Sequence, residues 1–145
     1  MLTITTLTCS EAQRIIVRAI AESDNLGVTQ NIAVVDTVGH LLAFARMDGA
    51  NRMSIQIAIN KAITAAATGV ETETVAPRTL PGEPGYMIQN QCDGTFTTIG
   101  GGAPLRNGEM LVGAIGVSGG TVAQDLMISS RVKAWFEAET VGSRQ

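Results

Sequence analysis

Two residues stand out for the chemistry their types and places permit. Lys61 is the only lysine before Lys133, and it lies beside the apolar stripe Ile55, Ile59, Ala62, Ile63, Ala66. Desolvation lowers the pKa of such an amine and leaves it basic or nucleophilic. A lysine so placed also serves as a snorkelling side chain. Asp125 falls on the first turn of the last predicted helix. There a carboxylate either complements the helix dipole or acts as a general base.

Glycine-rich junctions surround these two. Gly116-Val-Ser118-Gly-Gly120 fits G-x-S-x-G between a strand and a helix, the setting of a nucleophile elbow. The only histidine, His40, precedes Ser118, whereas that hydrolase order places histidine after serine. The backbone offers another reading: Gly119 and Gly120 turn the chain tightly and aim amide N–H groups at a carboxylate or phosphate. Ordinary capping by Ser118 or Thr121 explains the same residues. Gly100-Gly101-Gly102 implies a bulge or a close approach, to a ligand or to a second subunit. No Gly-Lys-Ser/Thr follows it, so it is not a P-loop.

Asp48, in Arg46-Met47-Asp48-Gly49, caps the following helix or pairs with Arg46, and Asn51 competes as the cap. His40 and Asp36 are too few for a zinc site. One axial ligand suffices for heme, and His40, Tyr86 or a methionine are of the right type. Cys9 and Cys92 are far apart, form no C-x-x-C pair and read as free thiols.

The elements that position these residues follow from periodicity. Thr8 to Ser23 is a helix opened by the capping-box pair Thr8 and Glu11 and stopped near Gly27. Leu2 to Leu7 reads as an edge strand or a lead-in to that helix. Asn31–Asp36 and His40–Arg46 form an antiparallel hairpin through Asp36-Thr-Val-Gly39. Met53 to Thr68 is a helix with Gly69 after it. Val70 to Tyr86 holds three of the four prolines and reads as a lid or binding loop. Tyr86–Gln91 and Thr95–Ile99 are predicted strands joined through Asp93-Gly94. Asn107-Gly108 turns into the strand Met110–Val117, and Val122 to Glu137 is the last helix. Hairpins dominate, so residues 1–145 form one α/β (α+β) domain around a mostly antiparallel sheet of five strands. Parallel βαβ crossovers are absent, which excludes a Rossmann fold.

Only 16% of residues are charged, below the usual quarter, which points to surface covered in a homo-oligomer. The net charge is −3 with scattered basic residues and five aromatics, which argues against a nucleic-acid partner. No apolar run is long enough to span a bilayer and no signal peptide is visible, so the expected location is cytoplasmic, with no membrane partner.

The stretches VVDTVGHLLAFARMDGA with Ser54 and KAITAA, then GGGAP, then NGEMLVGAIGVSGG with Gln124-Asp125 resemble the GlcG/HbpS family, also called DUF336 or the heme-degrading domain. The C-terminal domain of PduO-type cobalamin adenosyltransferases is similar. The resemblance implies a profilin-like α-β-α sandwich and assembly into dimers or higher oligomers. It also implies a place beside glycerol, propanediol or glycolate utilisation, with heme bound by some members. It places Asp48, Ser54, Lys61, Gly101, Gly102, Pro104, Gly116, Ser118, Gly119 and Asp125 along a shared cleft or interface. Three functions follow as expectations. The first is a small-ligand-binding accessory protein taking heme or a related tetrapyrrole. The second is a lyase or isomerase acting on a hydroxy or oxo compound through Lys61 and Asp125. The third is an oligomeric module with no ligand.

Overall fold

A computed structural model describes residues 1–143. The first helix, α1 (Cys9–Leu26), starts as its sequence predicts. Thr8 accepts from the Glu11 amide, the Glu11 carboxylate takes the Thr8 amide, and Gly27 closes the helix in the left-handed conformation. Strands β1 (Asn31–Asp36) and β2 (Leu41–Arg46) form the predicted hairpin. Its turn is held by the Asp36 carboxylate, which accepts from the amides of Val38 and His40. Helix α2 (Ser54–Thr68) follows, then short 3₁₀ turns, strands β3 (Gly102–Asn107) and β4 (Met110–Ser118), and helix α3 (Val122–Gly142).

All pairings are antiparallel, in the order β2-β1-β4-β3. Among the described residues the sheet therefore has four strands, not five. Tyr86–Gln91 and Thr95–Ile99 are not strands. They are 3₁₀ turns and irregular chain, with Met87, Cys92 and Asp93 at positive φ. The Asp93-Gly94 signal made a local turn because its flanks bury no common apolar face. Thr97 instead donates its amide to the Thr64 hydroxyl on α2. The strand missed by periodicity is β3, hidden in the glycine-rich link from Gly102. Leu2 to Leu7 form no regular element, although the Leu7 amide reaches the Val112 carbonyl.

Alternation along β1 divides the core. Ile32 and Val34 face α1 and α3 with Ile15, Ile115, Val117, Ile128 and Val132. Ala33 and Val35 face α2, whose contact side is Ala58, Ala62, Ala65 and Ala66. That second face is built from small residues. A Cβ on Gly116 would sit 1.9 Å from the Ala58 carbonyl oxygen, and one on Gly102 would sit 2.5 Å from that of Lys61. The α2 backbone lies directly on the sheet, at a distance only glycine permits.

Candidate functional site

Lys61 leaves α2 facing the close-packed sheet, and its side chain crosses to the opposite layer. Its Nζ donates to the Val117 carbonyl at 2.8 Å and to Asp125 Oδ2 at 2.9 Å. The passage exists because Gly101 has no side chain. A Cβ there would lie 2.9 Å from Lys61 Nζ and 2.7 Å from the Val117 oxygen, and φ is +119°. The close approach implied by the three glycines is therefore made by the chain itself.

Asp125, on the first turn of α3, is also saturated. Its Oδ1 accepts from Gln30 Nε2 at 2.9 Å and from the Gly120 amide at 3.0 Å. Thr121 and Gln124 form a capping box at the same helix end. The amides that could have held an anionic ligand thus serve the chain's own carboxylate and cap. Lys61 is 1% exposed and Asp125 3%. The short turn Thr72–Thr74 closes over them, with the buried Thr72 hydroxyl donating to the Ile99 carbonyl and accepting from the Gly102 amide. The pair is sealed and ties α2 to α3 through the end of the sheet.

Burial pushes the Lys61 amine below its ordinary 10.5, against the pull of Asp125 and Glu73. The folded chain then holds this proton less tightly than the unfolded one. Stability contributed by Lys61 should therefore rise as pH climbs toward 10.5 and level off above it. Urea melts of the wild type and Lys61→Met between pH 8 and 10.5 check this. The stability difference should move in favour of the wild type, and a fall across that range would reverse the sign.

The other candidates separate. Ser118 ends β4 opposite Asn31, and His40 lies past the far end of β1, a strand of six residues spanning roughly 20 Å. No serine–histidine pair forms. Ser54 is buried at the start of α2, and Gly119 packs against the Thr29 carbonyl. Asp48 is exposed and caps nothing, and neither does Asn51: α2 starts after Met53 without a side-chain cap, and Asn51 Oδ1 instead accepts the Met53 amide in the turn before the helix. The His40 side chain is 82% exposed at the hairpin tip, 3.5 Å from the Asp36 carboxylate. Tyr86 is exposed in the 3₁₀ segment.

Sequence reasoning missed Gln30, Asn31 and Thr72. All three are fully buried polar residues, and no motif marks them. Asn31 donates to the carbonyls of Asn51 and Ser118. It also missed a groove of about 600 Å³ between the Val70–Tyr86 segment read as a binding loop and the stretch after it read as strands, lined by Val75, Arg78, Glu83, Gly85, Ile88 and Phe96 among others.

An antiparallel sheet with one helix on one face and two on the other, tied by a buried lysine–aspartate pair, defines a small α+β sandwich domain. The chain belongs to the HbpS-like family, described as haem degrading protein HbpS-like, which matches residues 7–132. An uncharacterized 15.0 kDa protein of the dhaT-dhaS intergenic region of Citrobacter freundii is 33% identical over 126 residues, covering 87% of this chain and 89% of that protein. The crystal structure of Klebsiella pneumoniae protein ORFY, of family DUF336, superposes with a TM-score of 0.91 at 31% identity, over 95% of both chains. The PduOC:heme complex superposes with a TM-score of 0.84 at 29% identity, covering 90% of this chain and 94% of the other. The kinship indicated by the motifs holds. No described helix is long and apolar enough to cross a membrane.

Proposed function

We propose that this protein is a small-ligand-binding accessory protein that takes heme or a related tetrapyrrole in the groove of the 75–96 segment. The observation that carries the reading is the chemistry of that groove. A tetrapyrrole needs apolar walls for its faces, a cation for its propionates and, for heme, an axial donor. Val75, Pro84, Ile88 and Phe96 supply walls and Arg78 a cation. Tyr86 and Met87 lie between the lining residues Gly85 and Ile88, with a phenol and a thioether as donors. His40 projects into solvent from the β1–β2 hairpin and does not line the groove. Bound heme would supply a redox-active iron, and Tyr86 or Met87, next to the lining in sequence, are of the type that would hold it. The crystallised heme complex of a relative supports the choice of ligand. The association with glycerol, diol or glycolate use belongs to the same proposal. The sealed state of Lys61 and Asp125 favours a structural tie over proton transfer to a substrate.

Hemin titrated into the purified chain should give a saturable shift of the Soret band. Phe96→Asp, which places a charge on an apolar wall, should weaken binding at least tenfold without changing the fold by circular dichroism. A flat wild-type titration overturns the reading, and unchanged affinity in Phe96→Asp removes the groove from it.

A further inference from the structure

One stripe of α1 is not used by the core. Ser10, Gln13, Arg14, Val17, Arg18 and Ala21 recur every three or four residues, so they form one helical face about three turns long. That face runs beside the core stripe of Ala12, Ile15, Ile16 and Ala19. With Trp135 of α3 it lines a groove of about 440 Å³, a size usual for small-molecule sites. Trp135 is the only tryptophan of the chain and is half-buried at the margin of the core. The guanidinium groups of Arg14 and Arg18 stand 5.7 and 5.4 Å from the centre of its ring. Two carboxylates that do not line the groove hold them there. Glu139 takes Arg14 Nη2, and the buried Glu22 takes Arg18 Nε at 3.0 Å and Nη2 at 2.8 Å. A guanidinium has more N–H donors than these bonds use. Among the described residues that line the groove there are two cations and no carboxylate.

We infer that this groove binds a small aromatic carboxylate. The ligand's ring lies against Trp135 and the exposed side chains of Val17 and Ala21, and its carboxylate is held by Arg14 and Arg18. The lining asks for both parts. An aliphatic acid would forgo stacking on the indole, and a neutral ring would leave the spare guanidinium donors to water. A cation would meet two positive charges at the same ring. The arginines are set in place by Glu139 and Glu22 before any ligand arrives, so binding need not order them. Ser10 and Gln13 add a hydroxyl and an amide at one end of the stripe. This groove shares no lining residue with the 75–96 groove, and the inference is independent of the heme reading.

Trp135 reports on its own groove, since no other tryptophan contributes to the signal. Benzoate titrated into the purified chain should change the tryptophan fluorescence saturably, with half-saturation on the order of 1 mM, the strength usual for so small a ligand. Benzamide keeps the ring and lacks the charge, and acetate keeps the charge and lacks the ring. Each should bind at least tenfold more weakly than benzoate. Val17→Glu sets a carboxylate on the stripe between Arg14 and Arg18 and should weaken benzoate binding at least tenfold. Val17 is exposed, so the variant should keep the wild-type circular dichroism spectrum. If Val17→Glu fails to fold, Arg14→Gln reads the same site. Its partner Glu139 lies at the surface, where such a pair adds little to stability, and benzoate should bind at least threefold more weakly. A fluorescence change that does not saturate overturns the inference. So does equal binding of benzamide or acetate, or a benzoate affinity indifferent to both substitutions.

Discussion

Replacing Lys61 by methionine should destabilise the protein by about 3–5 kcal/mol, the usual cost of leaving a buried charge without its partner. The cost arises on the other side of the sheet. Asp125 would keep Gln30 Nε2 and the Gly120 amide but lose the ammonium at 2.9 Å, in a place 3% exposed to water. The Val117 carbonyl would lose its side-chain donor as well. In a chain of this size that amounts to a fall in Tm on the order of 10 °C. Asp125→Leu alone should cost a similar amount, because it strands the ammonium. The double variant Lys61→Met/Asp125→Leu should cost far less than the sum, since an apolar pair of similar volume needs no desolvation. Thermal melts of the three variants form the cycle. Additive losses would mean that the two residues act separately and that the tie between α2 and α3 is not the pair itself.

Gly116→Ala should be at least as damaging, by about 3 kcal/mol or more, for a reason unrelated to charge. The added methyl would occupy the position 1.9 Å from the Ala58 carbonyl oxygen and 2.6 Å from the Ala62 amide nitrogen. Both obstacles are backbone, so no rotamer change relieves them. The helix must lift off the sheet, which opens the small-residue interface of Ala33, Ala114, Ala58 and Ala62. Gly27→Ala provides the control. Its Cβ meets nothing within 4 Å and only the left-handed backbone at φ +68° opposes it, so the loss should be about 1 kcal/mol. Urea unfolding distinguishes the two. Equal small losses at both sites would mean that α2 does not sit on the sheet as closely as described.

What was legible in the sequence was local. Capping at Thr8, the Asp36–Gly39 turn and the helix stop at Gly69 depend on neighbours in the chain, and each formed as expected. The Asn31–Asp36 and Met110–Val117 strands were visible because they are apolar on both faces of a covered sheet. Strand β3 was not visible. Gly102 and Pro104 are poor strand formers, and they are there because α2 lies against the first and the edge needs the second. Asp93-Gly94 misled for the converse reason: a turn signal makes a hairpin only if both flanks share a face to bury. Lys61 and Asp125 were singled out by type and place. Their union depends on a hole at Gly101, and the supporting Gln30 and Thr72 are ordinary polar residues until the fold brings them in.

The measurement that bears most directly on heme as the ligand, and on the 75–96 groove as its site, is a hemin titration of three proteins followed by absorbance: wild type, Tyr86→Phe and His40→Ala. The expected result is one saturable Soret shift in the wild type and in His40→Ala. Tyr86→Phe should then show a displaced band or weaker binding, because it keeps the ring and loses the phenolic oxygen. Loss of the shift in His40→Ala with Tyr86→Phe unchanged would contradict that placement, and no shift in any of the three would contradict the ligand.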